Sequence, residues 1–401
     1  MTNPLSDPSR IARQKALALR NLDLFRASLR PDGRFAALDR DGTPKPGPQE
    51  LIAISRLVHS YALGHIAGAS DCETIIDTGV RTLWRTLGDD LHGGYLAAVE
   101  GDNPVRSDKL AYGHAFVLLA ASSAEAAGHP DAARLRQDVT GVLEDRFLDP
   151  ARGLYEDEFR RDWSRFSEYR GMNANMHATE AHLAAFEITG DQRHLDRAQT
   201  ILRFFVDEIA ATRGWRLTEH YHPDWSIDES YEGDPMFRPA GTTPGHSVEF
   251  GRLLLQAWDL AGRPKDDSEA KARALVETAL QDAWQPGGGM AYTLDFDGTV
   301  LRPDRLWWPV TEGIGAVASL LKLGGTTSDR EWYVRLWDSA EALFIDDTHG
   351  GWFPEAQGTE AEATLFEGKP DIYHALQAEL LPLHDGLSGH YTGLKGMLGA
   401  A

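Results

Sequence analysis

Apolar residues recur along the chain with a helical period. Stretch 51–65 puts Leu51, Ile52, Ile54, Leu57, Val58 and Tyr61 on one helix face; stretch 73–87 does the same with Ile75, Ile76, Val80, Leu83 and Trp84. Further pairs follow at 110–127 with 132–147, 174–189 with 195–209, 249–261 with 268–284, and 310–323 with 330–344. Helix-stopping phrases separate partners, as in Gly128-His129-Pro130-Asp131, Gly190-Asp191 and Gly262-Arg263-Pro264.

A glycine-plus-aromatic phrase punctuates the pairs. It reads Asp32-Gly33-Arg34-Phe35, His92-Gly93-Gly94-Tyr95, Arg152-Gly153-Leu154-Tyr155, Arg213-Gly214-Trp215, Gly288-Gly289-Met290-Ala291-Tyr292 and His349-Gly350-Gly351-Trp352. From Gly33 through Gly93, Gly153, Gly214, Gly288 and Gly350 the steps are 60, 60, 61, 74 and 62 residues. Two helices per repeat predict about 12 helices. Neither terminal repeat is obviously polar, as the cap of an open array must be, so the pattern predicts closure. The expected fold is an all-α (α/α)6 toroid of helical hairpins, one domain over 1–401, with short turns or β-hairpins on one rim. The 74-residue step contains an aperiodic insert, 218–245, holding His220, His222, Trp225, Asp228, Glu229, Tyr231, Asp234 and Arg238. Long loops in compact domains are commonly functional, and this one reads as a flap over the mouth.

Composition narrows the function. There are 40 Lys and Arg against 61 Asp and Glu, a net charge of −21, which disfavours a nucleic-acid or anionic-membrane partner. Cys72 is the sole cysteine, so neither an internal disulfide nor a cysteine metal cluster is available. Without a long apolar run or an apolar signal core near the N-terminus, a soluble cytoplasmic protein is the expectation. Phosphate-loop, dinucleotide, HExxH and nucleophile-elbow motifs are absent, so no cofactor and no metal are expected.

Five groups of residues carry candidate chemistry. Asn173, His177 and Glu180 fall at offsets 0, +4 and +7 on one helix face, where stacked polar groups imply a network or a ligand. His246 follows Pro244-Gly245 in a first helical turn, with Glu249 at i+3; the positive end of a helix favours the neutral imidazole a base requires, and the carboxylate would orient it. A capping arrangement of the same residues is the plainer alternative. His374 opens another helix after Lys369-Pro370. Trp307-Trp308-Pro309 with Glu312 offers a sugar-stacking face and a carboxylate. Arg56 lies within an apolar stretch, where an arginine needs an anionic partner. In a toroid the inner-helix N-termini share one rim, so these groups are expected to converge.

Together 173–180 (NANMHATE), 243–249 (TPGHSVE), 307–309 (WWP) and 371–377 (DIYHALQ) resemble the N-acylglucosamine 2-epimerase superfamily, with closer similarity to its D-mannose and sulfoquinovose isomerase branch. The resemblance runs from Arg56 to about Pro382. Cellobiose 2-epimerases follow the equivalent histidine with Asn-Gly-Arg, whereas here Ala375-Leu376-Gln377 follows His374. The resemblance implies an (α/α)6 barrel and aldose–ketose isomerisation of D-mannose and D-fructose, with D-lyxose and D-xylulose as a second pair, through a cis-enediolate without metal.

It implies His374 as the base moving a proton between C2 and C1, and His246 with Glu249 in ring opening and proton transfer. Arg56, His177 and Arg238 would hold oxyanion and hydroxyls. Asn173, Tyr112 and Trp308 would position the sugar, with Glu180 and Glu312 beside them. The two histidines' roles are interchangeable at this stage. A sulfoquinovose isomerase, a 2-epimerase acting on mannose or cellobiose, a glycoside hydrolase using paired carboxylates and a non-catalytic sugar-binding protein are the rivals. Monomer and homo-oligomer are both compatible with the sequence.

Overall fold

The computed structural model describes residues 3–101, 103–234, 236–358 and 366–399. Six helices form an inner ring: α2 (Leu51–Ile66), α4 (Ala111–Ala126), α6 (Met172–Thr189), α8 (Pro244–Leu260), α10 (Trp307–Lys322) and α12 (Ile372–Leu380). Each packs on the next, and α12 returns to α2, which closes the ring. An outer layer of α1 (Pro8–Phe25), α3 (Glu73–Arg85), α5 (Ala132–Val142), α7 (Gln192–Leu202), α9 (Ser268–Ala283) and α11 (Thr327–Leu343) covers it. The fold is the expected (α/α)6 barrel.

Burial separates the layers. On α10 every residue from Trp307 to Leu321 is buried, because neighbours and an outer helix enclose an inner helix on all sides. Outer helices keep one apolar stripe, as α3 does with Ile75, Ile76, Val80 and Leu83. Close approach is built into the first hairpin by Gly79, where a Cβ would stand 2.2 Å from Val58 Cγ2. α5 and α7 continue past their ends into wider turns over 143–147 and 203–209, matching the longer periodic stretches in the sequence.

Five pairs are hairpins contiguous in sequence. The sixth joins the chain ends, with α1 packed against α12. Its seam is polar: Asn21 of α1 donates to both oxygens of buried Glu379 on α12 at 2.6 and 2.8 Å, and the Trp352 indole donates at 3.1 Å.

Connections from inner to outer helices are short; those from outer to inner are long and carry the glycine phrases. Gly33, Gly93, Gly153, Gly214, Gly288 and Gly350 all have positive φ, from 62 to 101°. Most of these turns are closed by antiparallel bridges, such as Leu29–Phe35, Gly88–Tyr95 and Ile345–Trp352. Lysines just before inner helices lock two of them, Lys109 to Asp89 at 2.8 Å and Lys369 to Asp346 at 2.5 Å, all buried. The rim at the inner-helix N-termini is therefore stiff and loop-rich. Among the described residues no helix is long and apolar enough to cross a membrane.

Candidate active site

The first turns of the inner helices bring two histidines to this rim. His374 is the third residue of α12, and its Nδ1 is 2.8 Å from Glu312 Oε1 on α10. His246 is the third residue of α8, and its Nδ1 is 2.9 Å from Glu219 Oε1. Nδ1–H donates to the carboxylate in each neutral imidazole, so Nε2 keeps its lone pair. Both rings lie against the Trp308 indole: His246 at 4.9 Å and 31°, His374 at 5.9 Å and 34°. Gly245 permits this, since a Cβ there would fall 2.3 Å from Trp308 Cζ3.

The expected pairing of His246 with Glu249 is corrected. One turn along α8 carries Glu249 away from the mouth and into the barrel axis, where it is wholly buried. Glu219 takes its place beside His246. It comes from insert 218–245, positioned because His220–Tyr221 pairs with Arg170–Gly171 just before α6. That insert is packed at its start rather than hinged: His220, Tyr221 and Trp225 are buried, and the Trp225 indole donates to Asp149 at 2.9 Å. Its more exposed described residues include 229, 230, 232–234 and 237.

Below the histidines lies a buried electrostatic floor. Arg252 Nη2 is 3.2 Å from Glu312 Oε2, 3.7 Å from Glu180 Oε1 and 3.8 Å from Glu249 Oε1. Burial pushes the Glu249 carboxyl well above the usual carboxylate range, reinforced by Glu312 and Glu180, which favours its neutral acid. Burial also acts to raise Glu180 and Glu312, but neighbouring groups outweigh it and hold both low. Glu180 has His177 and Arg252 beside it; Glu312 has Arg252 and His374. Tyr373 and Gln377 donate to the two Glu180 oxygens, the latter at 3.1 Å.

His177 lies 4.6 Å from the Phe116 ring and 5.0 Å from Tyr112. Burial pulls its imidazole down to about 4, so it is neutral at pH 7. Its Nδ1 is 3.5 Å from Glu180 and 3.8 Å from Glu249, and has no hydrogen-bond partner among the described residues. Both Glu249 oxygens and the Asn173 Oδ1 share that condition. Buried polar atoms of this kind are costly unless a ligand pairs them.

Arg56 is held on three sides. It donates to Asp371 at 2.6 Å and to the Tyr112 hydroxyl at 2.7 Å, with the Phe116 ring centroid 4.3 Å away. Asp371 also caps α12 by accepting from Tyr373 N at 3.1 Å. Burial raises the Asp371 carboxyl, but Arg56 outweighs it and holds it low. Arg238 makes a two-pronged pair with Glu158, at 3.2 and 2.6 Å, over the Tyr169 ring. It stands at the rim, apart from the Arg252 floor, with its cationic group already matched.

Ligand-capable atoms of His177, Glu180 and Glu249 lie within 4.8 Å of one another. That donor set is compatible with a divalent cation. Arg252 already places a positive charge against two of the three, so an ion would compete with the guanidinium.

Sequence reasoning missed Glu219, Arg252, and the roles of Asp371, Tyr373 and Gln377. Arg252 was findable by the rule that picked out Arg56, an arginine within an apolar helical run. Glu219 has no local signal.

Paired histidine–carboxylate groups at the mouth of an (α/α)6 barrel define a proton-transferring sugar enzyme of the epimerase–isomerase class. The N-acylglucosamine 2-epimerase (GlcNAc 2-epimerase) family model matches residues 33–378, and the chain belongs to that family. It is 40% identical to the D-mannose isomerase of Thermobifida fusca over 378 residues, covering 92% of this chain and 93% of that one. It is 38% identical to the D-mannose isomerase of Pseudomonas cannabina pv. alisalensis, covering 90% and 89%. A D-mannose isomerase crystal structure superposes with TM-score 0.87 at 28% identity, covering 93% and 97%.

Proposed function

We propose that this protein is an aldose–ketose isomerase interconverting D-mannose and D-fructose, with D-lyxose and D-xylulose as a second pair. The observation that carries the reading is the pair of dyads, Glu312–His374 and Glu219–His246, packed on one indole with both Nε2 atoms unengaged among the described residues.

A histidine cannot unaided remove a proton from carbon beside a carbonyl, so the enediolate needs preorganised donors. His246 takes the proton of the anomeric hydroxyl as the bond from C1 to the ring oxygen breaks, and returns one to that oxygen, opening the sugar to the aldehyde. His374 removes the C2 proton and delivers it to C1. Meanwhile a second proton passes from O2 to O1, so that the aldehyde becomes an alcohol and the carbinol a ketone. Glu312 stabilises the imidazolium formed on His374. Arg56, neutral His177 and the acid form of Glu249 supply donors to the oxygens. Asn173, Tyr112 and Trp308 frame the ring. Trading the two histidines leaves this balance unchanged.

The arginines favour a neutral sugar over a sulfonated one. Arg56, Arg238 and Arg252 each contact a carboxylate already, so none offers an uncommitted cation to a sulfonate. The test incubates purified protein with EDTA and D-mannose in D₂O and follows it by NMR. Fructose with deuterium gained beside the carbonyl is expected. Glucose alone would make the protein an epimerase; activity lost to EDTA and restored by a divalent ion would refute metal independence.

A further inference from the structure

A groove on the outer wall, between α3 and α5, is separate from the mouth. Its volume is about 220 Å³. The chain is strongly acidic, yet Arg81, Arg85 and Arg134 gather here. Arg81 is engaged by Asp77 at 3.0 Å. Arg85 and Arg134 have neither an ion pair nor a hydrogen bond among the described residues. The Arg134 guanidinium sits 4.4 Å from the Trp84 ring centroid. Stacking a guanidinium by its face leaves its N–H edges available, and those edges match an oxyanion.

His129 lines the same groove, with its side chain 9% exposed. Its Nδ1 accepts the Asp131 N–H at 3.2 Å. The neutral ring must therefore carry its proton on Nε2. That donor has no hydrogen-bond partner among the described residues, and the Asp77 Oδ1 carboxylate oxygen is 3.5 Å away. Two unpaired guanidinium groups and one buried N–H thus face a single groove. Two carboxylates, Asp77 and Asp131, also line it against three arginines. Asp77 is occupied by Arg81, so the unspent charge is positive.

We propose that this groove is a binding site for a phosphate oxyanion, held by Arg85, Arg134 and His129 Nε2, remote from isomerisation. The shared chemistry admits free orthophosphate or the phosphomonoester of a sugar.

The test is calorimetric titration of the full chain at low ionic strength with orthophosphate and, separately, with fructose 6-phosphate, each with and without saturating D-mannose. One saturable site that mannose does not displace is expected. Losing a charged hydrogen bond should weaken binding by about tenfold or more in R85A/R134A, with kcat for mannose unchanged. R85K/R134K, which keeps the charge on a surface pair, should bind with intermediate affinity and guards against misfolding. Similar affinity for both probes assigns the site to free phosphate; a clear preference for the ester assigns it to a sugar phosphate. No saturable binding of either probe, equal affinity in R85A/R134A, or displacement by mannose would overturn the proposal.

Discussion

Gly245→Ala tests whether the indole positions both histidines. A Cβ at 245 would lie 2.3 and 2.6 Å from two Trp308 ring carbons and 3.1 Å from Pro309 Cβ. Carbon atoms settle near 3.5–4.0 Å, so the indole must retreat by about 1 Å. The His246 and His374 rings rest on that indole and would move with it or lose contact. A misplacement of about 1 Å at a reacting group costs on the order of a hundredfold in rate, or about 2.7 kcal/mol in transition-state stabilisation. Stability should change less. Overpacking costs about 1–3 kcal/mol, while replacing a helical glycine by alanine returns up to about 1 kcal/mol. The assay is kcat/KM for mannose alongside a thermal melt. Gly141→Ala is the control: it lies in α5 with nothing within 4 Å of the added Cβ, and should leave activity intact. A kcat/KM in Gly245→Ala within about twofold of the parent, with a folded melt, would refute the claim that Trp308 positions the dyads.

Glu219→Gln keeps the shape of the His246 partner but no longer favours a proton on Nδ1; kcat should fall roughly 10–100-fold with KM little changed, as steady-state kinetics would show. Arg252→Gln leaves buried Glu180 and Glu312 without their shared cation and should cost about 3–5 kcal/mol in chemical denaturation; an unchanged midpoint would contradict the floor described above. Glu379 sits in the α1–α12 seam with its carboxyl pushed up by burial to about 8. Because its folded pKa lies above its unfolded one, the native state holds the extra proton in between. Its stabilising effect is full below about pH 4.5 and is lost as pH rises toward 8, at up to about 1.4 kcal/mol per unit. The Tm of Glu379→Gln, measured from pH 5 to 8, should therefore decline less than that of the parent.

The barrel was legible because repetition is a long-range signal written locally. Glycine phrases near a 60-residue spacing and ten periodic stretches are visible without knowing any contact. The sixth pair was harder, since α1 and α12 stand at opposite ends of the chain and no pairing of neighbours reveals them. Candidate residues on inner helices stand out for the same reason: polar groups on otherwise apolar faces announce themselves, as Arg56, His177, Glu180 and Glu312 do. The assignment of carboxylates to histidines was not. Glu249 is three residues from His246, and sequence proximity made it the natural partner, but the partner is Glu219, 27 residues away. It lies in an aperiodic insert, and a strand pairing with Arg170–Gly171 sets its position. Arg238 was read as a ligand for sugar oxygens; its pairing with Glu158, 80 residues away, had no local signal either.

The floor explains why so acidic a cavity suits proton abstraction. Three glutamates face one arginine around Arg252. Favouring the acid form of Glu249 relieves the worst repulsion, yet Glu180 and Glu312 still leave the axis net negative. The imidazolium that the proposed mechanism forms on His374 would be attracted by that field. At about 4 Å and an effective dielectric near 20, one such charge contributes about 4 kcal/mol before solvent screening. The enediolate formed in the same step is negative and would suffer in the same field. Arg56 is the cation in position to offset this in the proposed mechanism: Asp371 anchors its Nη1, and the Phe116 ring lies 4.3 Å from its guanidinium. Carboxylates thus sit on the Nδ1 side of both histidines, while Arg56 is paired with Asp371. In the proposed reaction the dyads are therefore preorganised for the imidazolium, whose carboxylate partners are in place before a sugar arrives.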